Sequence, residues 1–144
     1  MAARCKGMIF PPYEVADYLG ITIVTKRLPG LYGCTNGTDT IWLDDRLTAV
    51  EQRCVLTHEL LHVIHGHTTE QPHHVEEKIH AATARWLVPW PYLLAAIGEQ
   101  VPEFDLAETL NVTVEVLRYR FAHATPAERL SLTMEVANTW DSAA

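Results

Sequence analysis

The segment His58-Glu59-Leu60-Leu61-His62 constrains the fold most, because its HExxH spacing aligns the two histidines only on an α-helix. Residues four apart lie on one helical face, so both imidazoles can reach the same metal ion. Glu59 lies about 100° around the helix from His58, where its carboxylate can reach a water on the metal without being a ligand. We therefore expect His58 and His62 to bind a metal. Glu59 is the expected catalytic base, which takes a proton from that water and carries it to a leaving amine.

The residues upstream of this motif also predict a helix. Thr48-Ala49-Val50-Glu51 matches a capping box, in which the Thr and Glu side chains each accept a hydrogen bond from a free backbone N–H. The helix should begin there and run to about Gly66. A chance match on a solvated helix face is the alternative that the motif alone leaves open.

A third metal ligand has to come from elsewhere, because a catalytic zinc ion usually has three protein ligands and one open position. Pro72 allows a second helix to begin near His73 and to continue to about Val88. Its first turns contain two carboxylates, Glu76 and Glu77. These point about 100° apart, so only one of them can face the site. The apolar periodicity of the helix does not decide between them.

The first third of the chain differs in pattern from the rest. After a short helix opened by Pro11 and Pro12, β-branched and turn-forming residues predict a small sheet of about three strands. Asn36-Gly37 predicts a hairpin between the last two strands. The three strand segments are Ile21 to Thr25, Leu31 to Cys34 and Thr40 to Leu43.

From residue 48 onward the pattern is helical. After the first two helices we expect a helix that ends at Gly98, a short helix pair around Asn111 and a last helix capped by Thr125, with a frayed tail after Asn138. The predicted fold class is α+β: mostly helical, with a small N-terminal sheet packed on the HExxH helix. We expect one domain over residues 1–144, with a sheet-containing part at 1–46 and a helical part at 47–138. Of the helices named above, the one that ends at Gly98 is expected over Pro91 to Ile97. The two helices of the short pair are expected over Phe104 to Leu110 and Thr113 to Phe121.

Composition argues against several classes of protein. The 144 residues have a net charge of −7 and no basic run, so direct nucleic-acid binding is not expected. Cys5, Cys34 and Cys54 form no CxxC pair, so no disulfide framework is indicated. No stretch approaches the ~18 apolar residues of a membrane span, and the first residues lack the apolar run of a signal peptide. We expect a reduced, soluble, cytoplasmic protein that does not bind membranes.

Three longer segments follow one recognisable pattern. The segment TIWLDDRLTAVEQRCVLTHELLH, followed by Gly66-His67, has a strand, the HExxH helix and then a GH pair. EEKIHAATARWLVP is similar to a helix of the form E-x-x-A-N/D-x-x-A-A-x-x-L-x-P, and DLAETLNVTVEVLRYRF is similar to a short helix pair. Over residues 40 to about 130, the chain thus resembles the ImmA/IrrE family of metallopeptidases.

The resemblance implies a zincin-like, cytoplasmic, zinc-dependent endopeptidase that cleaves helix-turn-helix repressors of mobile elements or stress regulons. Aligning the second helix on Pro89 puts the family's metal-binding glutamate at Glu76 and its following Asn or Asp at His80. The resemblance therefore implies Glu76 as the third ligand, with Glu77 and then His80 as the alternatives. It implies Zn²⁺ as the cofactor, with Mn²⁺ or another divalent ion as an alternative.

The strand from Thr40 to Asp44 is a candidate for substrate binding. In zincins, an edge strand beside the HExxH helix pairs with the extended backbone of the substrate. This would assign substrate binding to Ile41, Trp42 and Leu43. The same strand could also cover the HExxH helix, and this packing role is compatible with substrate binding.

Other functions remain open at this point. A non-catalytic regulator that binds metal, or binds a repressor without cutting it, would use the same residues. The helix pair from Leu106 to Arg120 also looks like a helix-turn-helix, although the acidic chain favours a packing or docking role for it. The intact Glu59 favours the enzyme, because metal storage needs no base there. The nearby His65 and His67 are expected to be exposed or to lie at the helix end.

Overall fold

The structure is a computed structural model that describes residues 9–97 and 102–143. The expectations for Cys5, for the first eight residues and for Gly98 as a helix stop lie outside these ranges. The elements in chain order are α1 (Pro12–Tyr18), β1 (Thr22–Lys26), β2 (Gly33–Thr35), β3 (Thr40–Asp44), α2 (Ala49–Ile64), α3 (His73–Leu87), α4 (Trp90–Ile97), α5 (Glu103–Thr109), α6 (Val114–Ala122) and α7 (Pro126–Ala143).

These elements confirm the predicted fold class, a mostly helical α+β fold of zincin-like type with one small mixed sheet. The described residues group into two compact units, with Phe10–Thr83 in the first and Ile9 together with the residues from Ala84 onward in the second. A single domain over 1–144 stays a prediction. None of the described helices has both the length and the hydropathy that crossing a bilayer requires.

The sheet lies in the first unit, and its order is β1-β3-β2. β2 and β3 form the predicted antiparallel hairpin around Asn36 and Gly37, with Cys34 opposite Trp42. The Asn36 Oδ1 atom accepts hydrogen bonds from three backbone N–H groups of this turn, which stabilises its tight geometry. β1 pairs with β3 in parallel.

The expectation that Thr40–Asp44 is an edge strand is wrong. β3 is the central strand, and β1 and β2 hydrogen-bond to its two edges. Ile41 and Leu43 are almost fully buried and Trp42 is half-buried. These three residues therefore have no free backbone edge to offer a substrate. The turn signals predicted the hairpin, but they carried no information about where β1 would pair.

The HExxH helix, α2, packs on this sheet. It begins with the predicted capping box, since Thr48 Oγ1 accepts from the Glu51 N–H and a Glu51 carboxylate oxygen accepts from the Thr48 N–H. Burial of apolar side chains between sheet and helix stabilises the unit. The buried members of this core are Ala16, Ile21, Ile41, Leu43, Leu56 and Leu60.

The second unit contains the predicted short helix pair and the long last helix. Asn111 adopts a φ of 56° between α5 and α6, a left-handed conformation that Asn tolerates. The buried Arg120 on α6 forms an ion pair with Glu128 at 2.6 Å and donates to the Val88 carbonyl at 2.8 Å. α7 continues to Ala143, so the backbone after Asn138 is helical, and the fraying of this tail stays a prediction.

Candidate metal centre

The two histidines of the motif lie on one face of α2, as the helical spacing predicts. Their Nε2 atoms are 3.2 Å apart. His62 is buried, and Glu59, on an adjacent face of the helix, is also buried, with 8% of its surface exposed. The motif therefore lies inside the protein and not on a solvated helix face.

Glu76, on the first turns of α3, completes a three-residue cluster. Its Oε2 lies 3.1 Å from His58 Nε2, and its Oε1 lies 3.0 Å from His62 Nε2. Tetrahedral ligands at 2.0–2.1 Å from a zinc ion are separated by ~3.3 Å, so the three side chains are spaced as such ligands would be. Glu77 lies elsewhere, with its carboxylate 4.0 Å from the exposed His73.

The protonation of the histidines suits a metal, because only a neutral imidazole can donate a lone pair to one. Burial, together with the smaller effects of the neighbouring His80 and His62, lowers the pKa of His58 to about 3. Burial also lowers the pKa of His62, against the opposing effect of the Glu76 carboxylate. Two neutral imidazoles and one carboxylate fit a divalent ion such as zinc that accepts nitrogen and oxygen ligands.

Glu59 lies beside this cluster and next to strand β2. Burial and, to a smaller extent, the negative charge of Glu76 raise the pKa of its carboxyl group to about 7. The pKa of the Cys34 thiol is raised by burial and then by the charge of Glu59, which places β2 close to that carboxylate. A Cβ atom on Gly33 would lie 3.5 Å from Glu59 Cγ and 2.6 Å from Val55 Cγ1.

His80 is also part of the cluster. Its ring centroid lies 4.5 Å from that of His58, closer than the 4.9 Å between the rings of His58 and His62. One ligand atom each from His58, Glu76 and His80 lie within 4.8 Å of one another. The sequence analysis proposed five candidate ligands. The structure brings four of them together, and the fifth, Glu77, lies apart from the cluster.

His67 is a residue whose position the sequence did not predict. It is half-buried, and its Nδ1 lies 2.9 Å from the Nδ1 of His62, on the side of that ring away from Glu76. Its N–H donates to the His62 carbonyl. Gly66, with a φ of 72°, lets the chain turn back here. The Gly66-His67 pair was the sequence signal that could have predicted this contact. An exposed histidine at a helix end produces the same pattern, so the pair alone could not distinguish the two.

The helical α+β fold, with a buried HExxH helix and a carboxylate from the next helix, defines a zincin-like class of metallopeptidase. The family model described as the IrrE N-terminal-like domain, a peptidase family, matches residues 16–122, and the chain belongs to this family. The resemblance recognised in the sequence is therefore confirmed. No curated protein and no solved structure matches the chain.

Proposed function

We propose that this protein is a zinc-dependent endopeptidase that cleaves a protein partner. The observation that carries the proposal is the convergence of His58, His62 and Glu76, with all three inter-residue distances at 3.0–3.2 Å, beside the buried Glu59. A zinc ion held there supplies Lewis-acid chemistry, because it polarises a carbonyl group and acidifies water.

In this mechanism the residues of the chain have separate tasks. His58, His62 and Glu76 hold the ion. Glu59 takes a proton from the attacking water onto a carboxylate oxygen and then gives that proton to the nitrogen of the leaving amine. A carboxyl group with a pKa raised to about 7 can both accept and donate a proton near neutral pH.

We assign substrate binding to the outer edge of β2 instead of to β3. Within residues 9–97 and 102–143, β2 has a strand neighbour only on its β3 side. Because the strand passes Glu59 at Gly33, a peptide added to this edge would lie next to the general base. The exposed Leu31 and Tyr32 immediately precede β2 and offer apolar surface to substrate side chains.

The substrate that fits best is a helix-turn-helix repressor of a mobile element or stress regulon, met in the cytoplasm. The family resemblance supports this choice. The net charge of −7 supports it as well, because an acidic protein is attracted to the basic face with which a repressor binds DNA.

A non-catalytic regulator is the second candidate, and His80 is the observation that favours it. With His80 as a further ligand beside His58, His62 and Glu76, a tetrahedral ion would have no open position, which is typical of structural zinc sites. Such a protein would bind metal and a repressor without cutting the repressor.

The Glu59→Gln substitution separates the two candidates. Glutamine keeps the size of the side chain but cannot take up a proton, so zinc should stay bound while cleavage of a co-encoded repressor falls ~10²–10⁴-fold. Glu77→Gln is the matched control, and it should cleave at the rate of the unmodified protein. Cleavage by Glu59→Gln at that same rate would refute the peptidase mechanism. If no variant cuts the repressor and all displace it from DNA, the regulator is the better description.

A further inference from the structure

We propose that His80 is a fourth, exchangeable ligand of the same metal ion and that it closes the site until a substrate displaces it. The inference rests on the proposed metal-binding function of His58, His62 and Glu76. It adds a resting state in which the ion is bound but cannot receive a substrate.

Two facing pairs of side chains carry this proposal. His58 and His62 are four residues apart on α2, and Glu76 and His80 are four residues apart on α3. Each pair presents both of its members on one helical face. The cross-helix contacts show that these faces meet, since Glu76 reaches both histidines of α2 and His80 lies against the His58 ring. Two such pairs supply four donors around one point.

The distances place His80 within reach of an ion held by the other three residues. The donor atoms of His58, His62 and Glu76 already lie at tetrahedral spacing, 3.0–3.2 Å apart. One ligand atom each from His58, Glu76 and His80 lie within 4.8 Å of one another, so a rotation about the His80 side-chain torsions is enough to bring its ring nitrogen to the ion. A ligand that reaches the ion by side-chain rotation can leave it by the same rotation.

The exchange itself is a simple ligand substitution. With an ion bound, a ring nitrogen of His80 would leave it and keep its lone pair, and the carbonyl oxygen of the scissile peptide would donate a lone pair in its place. No proton or electron is transferred in this step. Zinc with four protein ligands is closed and zinc with three is open, so the departure of His80 opens the site. The arrangement would keep the loaded protein inactive until a peptide lies along the site.

The test counts histidine ligands on the zinc-loaded, full-length protein by X-ray absorption spectroscopy. We compare the unmodified chain, His80→Asn and His74→Asn, a control at an exposed position on the same helix. About three histidine nitrogens per zinc are expected for the unmodified chain and the control, and about two for His80→Asn. Circular dichroism checks folding, and His80→Gln replaces His80→Asn if the latter does not fold.

A second measurement uses acetohydroxamate, a small chelating probe, on the cobalt-substituted proteins. If the closed form is about 90% populated, its removal by His80→Asn should tighten probe binding about tenfold, while His74→Asn should have no effect.

Each contrary outcome has a distinct meaning. Two histidine nitrogens in the unmodified chain would overturn the fourth ligand and leave the peptidase proposal intact. A folded His80→Asn protein that holds no zinc would make His80 a permanent ligand and overturn the exchange. Equal probe affinity in all three proteins would also overturn it. An unmodified chain that binds no zinc would refute the proposed function itself.

Discussion

The Nδ1 atom of His62 lies 2.9 Å from the Nδ1 atom of His67. His62 presents its other nitrogen, Nε2, to Glu76, so that nitrogen has to be free of a proton if it binds a metal. The single proton of the neutral ring then sits on Nδ1 and is donated to His67 Nδ1. This hydrogen bond selects the tautomer of His62 and holds its ring in orientation.

His67→Ala should therefore weaken zinc binding ~10–100-fold, the usual effect of losing the partner of a ligand histidine. Competition with a coloured chelator measures the dissociation constant. His65→Ala, at an exposed neighbouring position, is the control and should bind zinc as the unmodified protein does. Equal affinities for the two variants would show that His67 does not support His62.

Gly37→Ala should reduce both stability and zinc affinity. A Cβ at this position would overlap the His67 carbonyl oxygen, so the segment that holds the His67 ring has to move. Gly30→Ala is a matched control, because Gly30 has a similar φ of +74° but no atom within 4 Å of the added Cβ. Both variants carry the cost of a left-handed alanine, about 1–2 kcal/mol. Only Gly37→Ala should lose zinc affinity, and equal zinc affinity in the two variants would contradict this coupling.

Glu76→Ala should weaken zinc binding more than Glu77→Ala or His80→Ala does. Glu76 contacts both His58 and His62, whereas Glu77 faces the exposed His73. The loss should exceed the ~10–100-fold typical of an outer partner, because a ligand itself is removed. Isothermal titration of the apoprotein with zinc provides the comparison. If Glu77→Ala has the larger effect, the assignment of the third ligand is wrong.

Gly33→Ala should disturb the region around Glu59. The added Cβ would lie 2.6 Å from Val55 Cγ1, a stiff β-branched side chain, and such overpacking typically costs about 1–3 kcal/mol. We expect slower peptide cleavage and a lower thermal midpoint, with zinc still bound. The double variant Gly33→Ala with Val55→Ala removes the clash with Val55 Cγ1 and keeps the 3.1 Å approach to the Trp42 carbonyl oxygen, so it should lose less stability than the two single variants lose in sum. Additive effects would indicate that the clash is relieved by another route.

The pair of Arg120 and Glu128 should make the second unit sensitive to acid. The hydrogen bond from Arg120 holds the pKa of Glu128 below its ordinary value. A carboxylate with a lowered pKa stabilises the fold above its unfolded pKa of ~4.3, and this contribution is lost as the pH falls through the lowered value. Glu128→Gln should therefore cost about 2 kcal/mol at pH 7 and progressively less at acidic pH.

Urea unfolding across this pH range measures the difference for Glu128→Gln. The exposed ion pair of Arg118 and Glu103 is the comparison, and Glu103→Gln should change stability little. If Glu128→Gln is no more destabilising than Glu103→Gln, the prediction is wrong, and the buried ion pair of Arg120 and Glu128 adds no more stability than an exposed one.

The sequence determined the features that depend on neighbouring residues. The capping box at Thr48 and Glu51 and the turn at Asn36 and Gly37 each require only a few adjacent residues, and both are present where the sequence placed them. The alignment of His58 and His62 on one face also follows from the helix itself, because the spacing between i and i+4 is the same in every α-helix.

Tertiary structure decided which distant parts of the chain meet. The helical periodicity does not distinguish Glu76 from Glu77, and it is the rotation of α3 about its own axis that turns Glu76 toward His62 and Glu77 toward His73. β3 became the central strand because β1 pairs along its second edge, a contact that no local turn signal specifies. His67 reached His62 through the loop that packs at Gly37. In each case the outcome depends on packing between separate elements, which local residue patterns do not encode.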